Sequence, residues 1–183
     1  MTGGVRPQAQ APAVSSAAPA PPASLGRRLA ALTYEATLAS ALVVVVGFLT
    51  APLVSPGPAG AQALRVPELP ARVIAFCAIF ATGAAYFVWS WTGGRRTLPM
   101  KTWHLAVVGA DGRPPDRRAA LARYLAAWIG PACALGAYAA LAPSGLGAHA
   151  VWLVGLNFLW AFVDPERRFL HDRIAGTRIV TSP

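Results

Sequence analysis

Four long apolar runs alternate along this chain with connections that differ in length and charge. They cover about residues 29–51, 73–91, 121–141 and 148–163. The first three reach the roughly 20 residues with which an α-helix crosses the hydrocarbon core, and the fourth, at about 16, sits at the lower limit. The pattern predicts an all-α integral membrane fold with four transmembrane helices.

Polar residues mark where these helices begin and end. Ser24 and Asp116 can each cap a helix start, because their side-chain oxygens accept hydrogen bonds from free backbone N–H groups. Asp164 is followed by Pro165, which cannot continue a helix, so the last apolar run ends there. Pro131 is expected to bend the third helix.

Two short segments outside the helices have strand character. Trp103, Leu105 and Val107 alternate with other residues and lead to an Asp-Gly turn at residues 111–112, while 177–180 is a β-prone run. Backbone groups of either segment alone would stay unpaired near the membrane. We therefore expect 103–108 and 177–180 to form a small two-stranded β element on the cytoplasmic side.

Composition agrees with a membrane protein and separates one terminal segment. The 183 residues are 55% hydrophobic and only 13% charged, which is too apolar for an ordinary soluble domain. Residues 1–24 consist mainly of Pro, Ala, Gln and Ser, and are too poor in large apolar side chains to form a core. The expected organisation is a disordered tail over 1–24 and one transmembrane domain over 25–183, closed by the segment 164–180.

The net charge of +9 is distributed unevenly between the two sides of the predicted membrane. Fourteen of the 16 basic residues fall before the first apolar run, in the long second connection or in the C-terminal segment, and only Arg65 and Arg72 fall in the first connection. Basic residues concentrate on the cytoplasmic side, so both termini are predicted to be cytoplasmic. Anionic lipid head groups rather than nucleic acid are the expected partners of the lipid-facing basic residues Arg95, Arg96, Lys101, Arg117, Arg118 and Arg123.

A single carboxylate, Glu35, lies inside the first apolar run. Arg28 precedes it by seven residues, which is two helical turns, so both side chains share one face. An unpaired carboxylate at that depth is costly. Two outcomes are open: Glu35 pairs with an arginine of the closing segment, Arg168 or Arg173, or it faces a hydrated cavity as a proton or cation site.

The closing segment carries the most specific motif of the chain. It contains Asp-Pro at 164–165, then Arg167, Arg168, the His-Asp-Arg sequence at 171–173 and Ala-Gly-Thr at 175–177. These pieces resemble the RDD family, small bacterial multi-helix membrane proteins named for an arginine and two aspartates. Further positions follow the pattern of that family, with glutamate in place of aspartate at the third of them: Arg28, Ala31, Glu35, Thr97, Lys101, Asp111 and Gly112.

The resemblance implies a multi-pass protein of the bacterial inner membrane whose role is largely undefined, although transport has been reported for parts of the family. One hypothesis is a non-catalytic membrane scaffold that binds lipid or a partner through a charged cytoplasmic clasp. The alternative is a small ion-coupled transporter of the Na⁺/H⁺ type. The candidate charged cluster for either function is Arg28, Glu35, Asp164, Arg168, Asp172 and Arg173.

Other function classes find little support in the sequence. It contains no H-E-x-x-H or G-x-S-x-G motif, and its three histidines lie in separate regions, so we expect neither an enzyme nor a bound metal or cofactor. A second copy of the chain or another membrane protein stays open as a partner.

Overall fold

The computed structural model describes residues 21–54 and 68–182, and most of them are helical. Two long helices are followed by a short helix, a strand, two consecutive helices, a stretch of 3-10 turns, and a short closing helix and strand. The helices are α1 (Leu25–Val54), α2 (Leu69–Trp91), α3 (Leu98–Thr102), α4 (Arg117–Ala127), α5 (Ile129–Leu141), α6 (Leu156–Leu159) and α7 (Leu170–Ala175), and the strands are β1 (Leu105–Gly109) and β2 (Thr177–Thr181).

The helix starts follow the predicted caps rather than the edges of the apolar runs. The Ser24 Oγ accepts from the Arg27 backbone N–H at 3.4 Å, so α1 begins four residues before the apolar run at residue 29. The Asp116 Oδ1 accepts from the Ala119 N–H at 2.7 Å and starts α4 in the same way. Boundaries read from hydrophobicity alone were therefore too far inside the helices.

The predicted third helix is broken between α4 and α5, three residues before Pro131. The break falls at Trp128, whose backbone N–H bonds to the carbonyl groups of residues 125 and 126. Immediately afterwards α5 approaches the next segment closely, since a Cβ at Gly130 would lie 2.7 Å from the Val154 carbonyl oxygen. The helix is therefore interrupted at Trp128 rather than at Pro131, and Gly130 allows the close approach that follows.

Three helical stretches in the described part of the chain are long and apolar enough to cross a membrane: Leu25–Ala51, Leu69–Trp91 and Arg117–Ser144. The fourth predicted helix is a shorter apolar stretch, Gly147–Phe162. Most of it consists of 3-10 turns at Gly147–Gly155 and Trp160–Phe162, separated by α6. Four crossings therefore stay a prediction.

The predicted two-stranded sheet is confirmed. Strands β1 and β2 pair antiparallel, with Leu105 opposite Thr181 and Gly109 opposite Thr177. The Asp-Gly turn follows β1 as expected, with Gly112 at a φ of 78°. Residues 103 and 104 lie outside the strand, because α3 ends there and His104 has a positive φ of 52°.

The N-terminal segment and the closing segment meet at this sheet. Pro22 forms a bridge with Val180, and the Ala23 N–H donates to the Ile179 carbonyl at 3.1 Å. The prediction of a disordered tail over 1–24 is thus wrong for residues 21–24, because backbone pairing with β2 holds them, while 1–20 lie outside the described residues. The start of α1, the long connection and the end of the chain therefore lie together.

The closing segment contains a helix that the sequence did not predict. Helix α7 ends at Gly176, which adopts a left-handed φ of 65° and turns the chain into β2. Apolar residues from α1, α2, α3, α4 and both strands form the core around it, and they include Ala31, Trp91, Met100, Leu105, Ala120, Tyr124, Phe169 and Ile179.

Candidate functional site

A buried ion pair joins helix α4 to helix α7. The Arg123 Nε donates to the Asp172 Oδ1 at 2.8 Å, and the two side chains are 3% and 1% exposed. The Thr177 hydroxyl donates to the same oxygen at 2.9 Å, and the Arg123 guanidinium lies 4.3 Å from the Trp91 ring centroid. Such a pair is stable only when further hydrogen bonds and contacts offset its desolvation, as these do.

The protonation states of α7 follow from this environment. Burial raises the pKa of Asp172, but the charges of Arg123 and His171 and the hydrogen bonds from Thr177 and Arg123 outweigh it, so the pKa lies below its ordinary value of 3.8. Burial lowers the pKa of His171 from 6.5 to about 4, although the charge of Asp172 opposes the shift. At neutral pH the aspartate is charged and the histidine is neutral.

Arg28 is buried beside this pair and forms no salt bridge with a carboxylate of residues 21–54 or 68–182. Its Nη1 donates to the Arg167 carbonyl at 2.6 Å, and its guanidinium lies 5.1 Å from the centroid of the Phe169 ring. Arg167 presents that carbonyl from a backbone with a positive φ of 52°. Arg28 therefore ties α1 to the closing segment through the backbone.

Glu35 does not join the closing segment. Its Oε2 accepts a hydrogen bond from the Thr97 hydroxyl at 2.8 Å, so its partner lies at the start of α3. Thr97 also caps α3, since its oxygen accepts from the Met100 N–H. The predicted pairing of Glu35 with Arg168 or Arg173 is wrong, because both arginines lie beside acidic residues of the closing segment itself.

A cavity of about 360 Å³ lies beside these charges, between α1, α2, α4 and α5. Its walls are mostly apolar and aromatic, and its charged end is formed by Arg28, Glu35, Arg123 and His171. Four polar atoms of these residues are buried without a hydrogen-bond partner among the described residues: Arg28 Nε, Glu35 Oε1, Arg123 Nη1 and His171 Nδ1. We call these four residues together with Asp172 the inner cluster.

The match to a family model decides the identity. Residues 22–176, most of the chain, match the model of the RDD family. The chain belongs to the RDD family. No curated protein and no solved structure matches it.

The RDD motif of the closing segment splits into two charged groups in space. Asp172 belongs to the inner cluster, whereas Asp164 accepts hydrogen bonds from the backbone N–H groups of Glu166 and Arg168 at 3.1 and 3.0 Å. Arg173 lies 3.8 Å from the Asp164 Oδ1 and 3.7 Å from the Glu166 Oε1. We call Asp164, Glu166, Arg168 and Arg173 the outer cluster. The six predicted residues of the charged cluster thus form two sites.

The predicted lipid-facing basic residues are exposed with two exceptions. Arg95 stacks on the Trp89 ring at 4.9 Å, and Lys101, Arg117 and Arg118 are exposed. Arg96 is half-buried and donates to the Ser182 hydroxyl at 3.1 Å. Arg123 was predicted to face lipid, which is wrong: it is 2% exposed because its charge pairs with Asp172 inside the protein.

Sequence reasoning missed Arg123, Thr97 and Thr177 as members of this RDD site. A signal existed for Arg123, since it is the only Asp, Glu, Lys or Arg between Arg118 and Asp164. A lone charge in an apolar run usually points inwards to a partner. Nothing in the spacing of Thr97 or Thr177 indicated that their hydroxyl groups bond to carboxylates 62 and five residues away.

Proposed function

We propose that this RDD protein is a small ion-coupled membrane transporter or a subunit of one, in which Glu35 binds the coupling proton or cation. One observation carries the proposal. Glu35 lines the cavity, its Oε1 is buried with no hydrogen-bond partner among the described residues, and its Oε2 is held by Thr97. An ionisable side chain within a membrane helix is usually functional.

The pairing pattern supports this role for Glu35. The buried charges that hold the helices together are Arg123 and Asp172, which already share a close ion pair with Thr177 as a third partner. Glu35 is not used in that contact. One of its carboxylate oxygens is held by Thr97, and the other is buried beside the cavity without a hydrogen-bond partner among the described residues. A carboxylate oriented in this way can take up and release a small cation without breaking the helix contacts.

The arrangement of the chain also supports the predicted topology. Pro22, β1 and β2 are joined by backbone pairing, so the N-terminal segment, the long connection and the closing segment lie on one side. If Arg117–Ser144 crosses the membrane, the chain must cross back before β2 begins. The apolar stretch between them is Gly147–Phe162, which would form this fourth crossing. We therefore propose four crossings with both termini in the bacterial cytoplasm, as the basic residues predict.

A second candidate is a non-catalytic scaffold that binds anionic lipid or a partner protein. It is favoured by exposed basic side chains on either side of β1: Lys101 in α3, and Arg117 and Arg118 at the start of α4. Such residues attract anionic head groups. Neither candidate involves a chemical reaction.

The test is ion flux in proteoliposomes that contain the full chain. Proton movement is followed with Na⁺ or K⁺ as the counter-ion, for the wild type, Glu35→Gln and the control Glu166→Gln. Glu166 is an exposed carboxylate of the outer cluster. We expect the wild type and Glu166→Gln to couple proton and cation movement and Glu35→Gln to lose it. No flux above that of empty liposomes, or full flux in Glu35→Gln, would contradict the proposal and favour the scaffold.

A further inference from the structure

The cavity extends much further than a proton or metal-ion site requires. Its lining along α1 runs from Arg28 at one end to Val46 at the other. Eighteen residues of helix correspond to about 27 Å. One leaflet of the hydrocarbon core is about 15 Å thick. The cavity can therefore hold a chain that begins at the membrane surface and reaches beyond the midplane.

The long arm of the cavity is apolar on every wall. Leu42, Val43 and Val46 line it from α1, Ile79 from α2 and Pro131 from α5. A volume of about 360 Å³ lies within the range of small-molecule sites, about 300 to 1,000 Å³. An apolar occupant makes dispersion contacts with walls of this kind, so such an occupant is favoured.

The other end of the cavity offers hydrogen-bond donors. The Arg28 Nε and the Arg123 Nη1 are buried without a hydrogen-bond partner in the described part of the chain. The two residues are 7% and 2% exposed. Each arginine already uses another of its nitrogens, since Arg28 Nη1 bonds to the Arg167 carbonyl and Arg123 Nε to Asp172. The unpartnered N–H groups are strong hydrogen-bond donors to a carboxylate.

Glu35 limits the charge that this end can accept. Its carboxylate lines the same cavity as the two arginines, and Asp172 already neutralises Arg123. A ligand with two or more negative charges would be repelled by Glu35 more strongly than one with a single charge. Among anions, the charges therefore favour one with a single negative charge, and the preference over a neutral head group rests on the two arginine donors.

We propose that the cavity binds a long-chain fatty acid, with its carboxylate at Arg28 and Arg123 and its hydrocarbon chain along α1 towards Val46. This site goes beyond the proposed ion coupling and does not depend on it, because binding is measured at equilibrium and needs no transport. The two tests can fail separately: binding without flux overturns only the coupling, and flux without binding overturns only this site.

The experiment measures binding of palmitate to the full chain in nanodiscs made of zwitterionic lipid. Hexadecanol and hexadecylamine have the same chain with a neutral or a cationic head, so they separate the contribution of the carboxylate. Three variants change the site: Arg28→Gln removes a donor, Glu35→Gln removes the negative charge and Ala39→Phe fills the apolar arm. The matched controls are Arg27→Gln and Ala41→Phe, which alter exposed residues of the same helix outside the cavity lining.

We expect palmitate to bind more tightly than hexadecanol and hexadecylamine. Arg28→Gln should weaken palmitate about tenfold or more, as expected for a lost hydrogen bond to a charged group. Glu35→Gln should strengthen it, Ala39→Phe should abolish it, and both controls should bind like the wild type. Since Glu35→Gln and Ala39→Phe leave Arg28 in place, the test stands even if Arg28→Gln fails to fold.

Three results would overturn the inference. Equal binding of palmitate and hexadecanol would mean that the arm accepts any acyl chain, including a tail of the surrounding bilayer. Tighter binding of hexadecylamine, with weakening by Glu35→Gln, would make the ligand an organic cation. Unchanged palmitate binding in Ala39→Phe would place the ligand elsewhere.

Discussion

The inner and outer clusters use the same kinds of residue, but only the outer cluster joins its buried aspartate, Asp164, to a solvent-exposed arginine, Arg173. In the inner cluster, Arg123 and Asp172 are 3% and 1% exposed and meet at 2.8 Å. In the outer cluster, the side chains of Arg173 and Glu166 are 50% and 59% exposed and lie 3.7 Å apart. Water screens the attraction between the exposed Arg173 and Glu166 but cannot reach the buried Arg123 and Asp172. Only the buried pair therefore holds helices together.

The comparison teaches that one charged motif can perform two tasks. Residues 164–173 contribute to both clusters. Asp172 lies on the side of α7 that faces α4, whereas Asp164 lies at the start of the closing segment. Burial and additional partners, rather than residue type, decide which charges are structural. The following variants should separate the clusters by the size of their effect.

The largest effect should come from breaking the inner ion pair. Arg123→Gln leaves Asp172 charged and buried without its main partner, which costs about 3 to 5 kcal/mol for a buried pair. The yield of folded protein and its melting temperature in detergent should fall sharply. Arg118→Gln removes an exposed arginine of the same helix and should change neither. Equal losses in the two variants would contradict the structural role of Arg123.

The second largest effect should be a loss of stability in acid, through the inner cluster. The pKa of His171 is about 4 in the folded protein against an ordinary value of 6.5, so the unfolded chain takes up this proton at higher pH. The stability from the neutral histidine is complete above about pH 6.5 and is lost as the pH falls towards 4. Asp172, with its lowered pKa, adds a loss below its ordinary value of 3.8.

Melting temperatures of the wild type and His171→Asn between pH 7 and 4 test this acid dependence. The wild type should lose stability across the interval, and the variant should lose less. A wild-type melting temperature that does not change with pH would show that His171 is not buried in its neutral form.

Removing the second partner of Asp172 should have an intermediate effect. Thr177→Val keeps the shape of the side chain but removes the hydroxyl that donates to the Asp172 Oδ1 at 2.9 Å. A lost hydrogen bond to a charged group costs about 1.5 to 3 kcal/mol. Thr181→Val, at the half-buried end of the same strand, is the matched control. Denaturation curves that shift equally for both would rule out a special role for Thr177.

The smallest effect is expected in the outer cluster. Arg173→Ala breaks long contacts of 3.8 and 3.7 Å made by a side chain that is 50% exposed, and Asp164 keeps its hydrogen bonds from the Glu166 and Arg168 backbone N–H groups. Ion pairs with an exposed arginine of this kind contribute about 0 to 1 kcal/mol. The melting temperature should change little at low salt and not at all at high salt. A loss comparable to that of Arg123→Gln would remove the distinction between the clusters.

The long apolar runs, the caps and the sheet were predictable because each depends on local physical chemistry. Ser24 and Asp116 satisfy the N–H groups of their own helices, and 105–109 and 177–181 are β-prone wherever they lie. The partners of the charged residues could not be predicted, because they depend on how α1, α4 and α7 pack. Spacing placed Arg28 and Glu35 on one face but could not show that they contact Arg167 and Thr97.

The most direct test of this account compares Glu35→Gln with Asp172→Asn in the same detergent. Both replace a carboxylate of the inner cluster by an amide. The amide introduced at position 35 can still accept from Thr97, whereas the one introduced at position 172 leaves the buried Arg123 without a negative charge. The account predicts an almost unchanged melting temperature for Glu35→Gln and a large fall for Asp172→Asn. An equal fall in both would contradict the division of the cluster into a structural pair and a functional carboxylate.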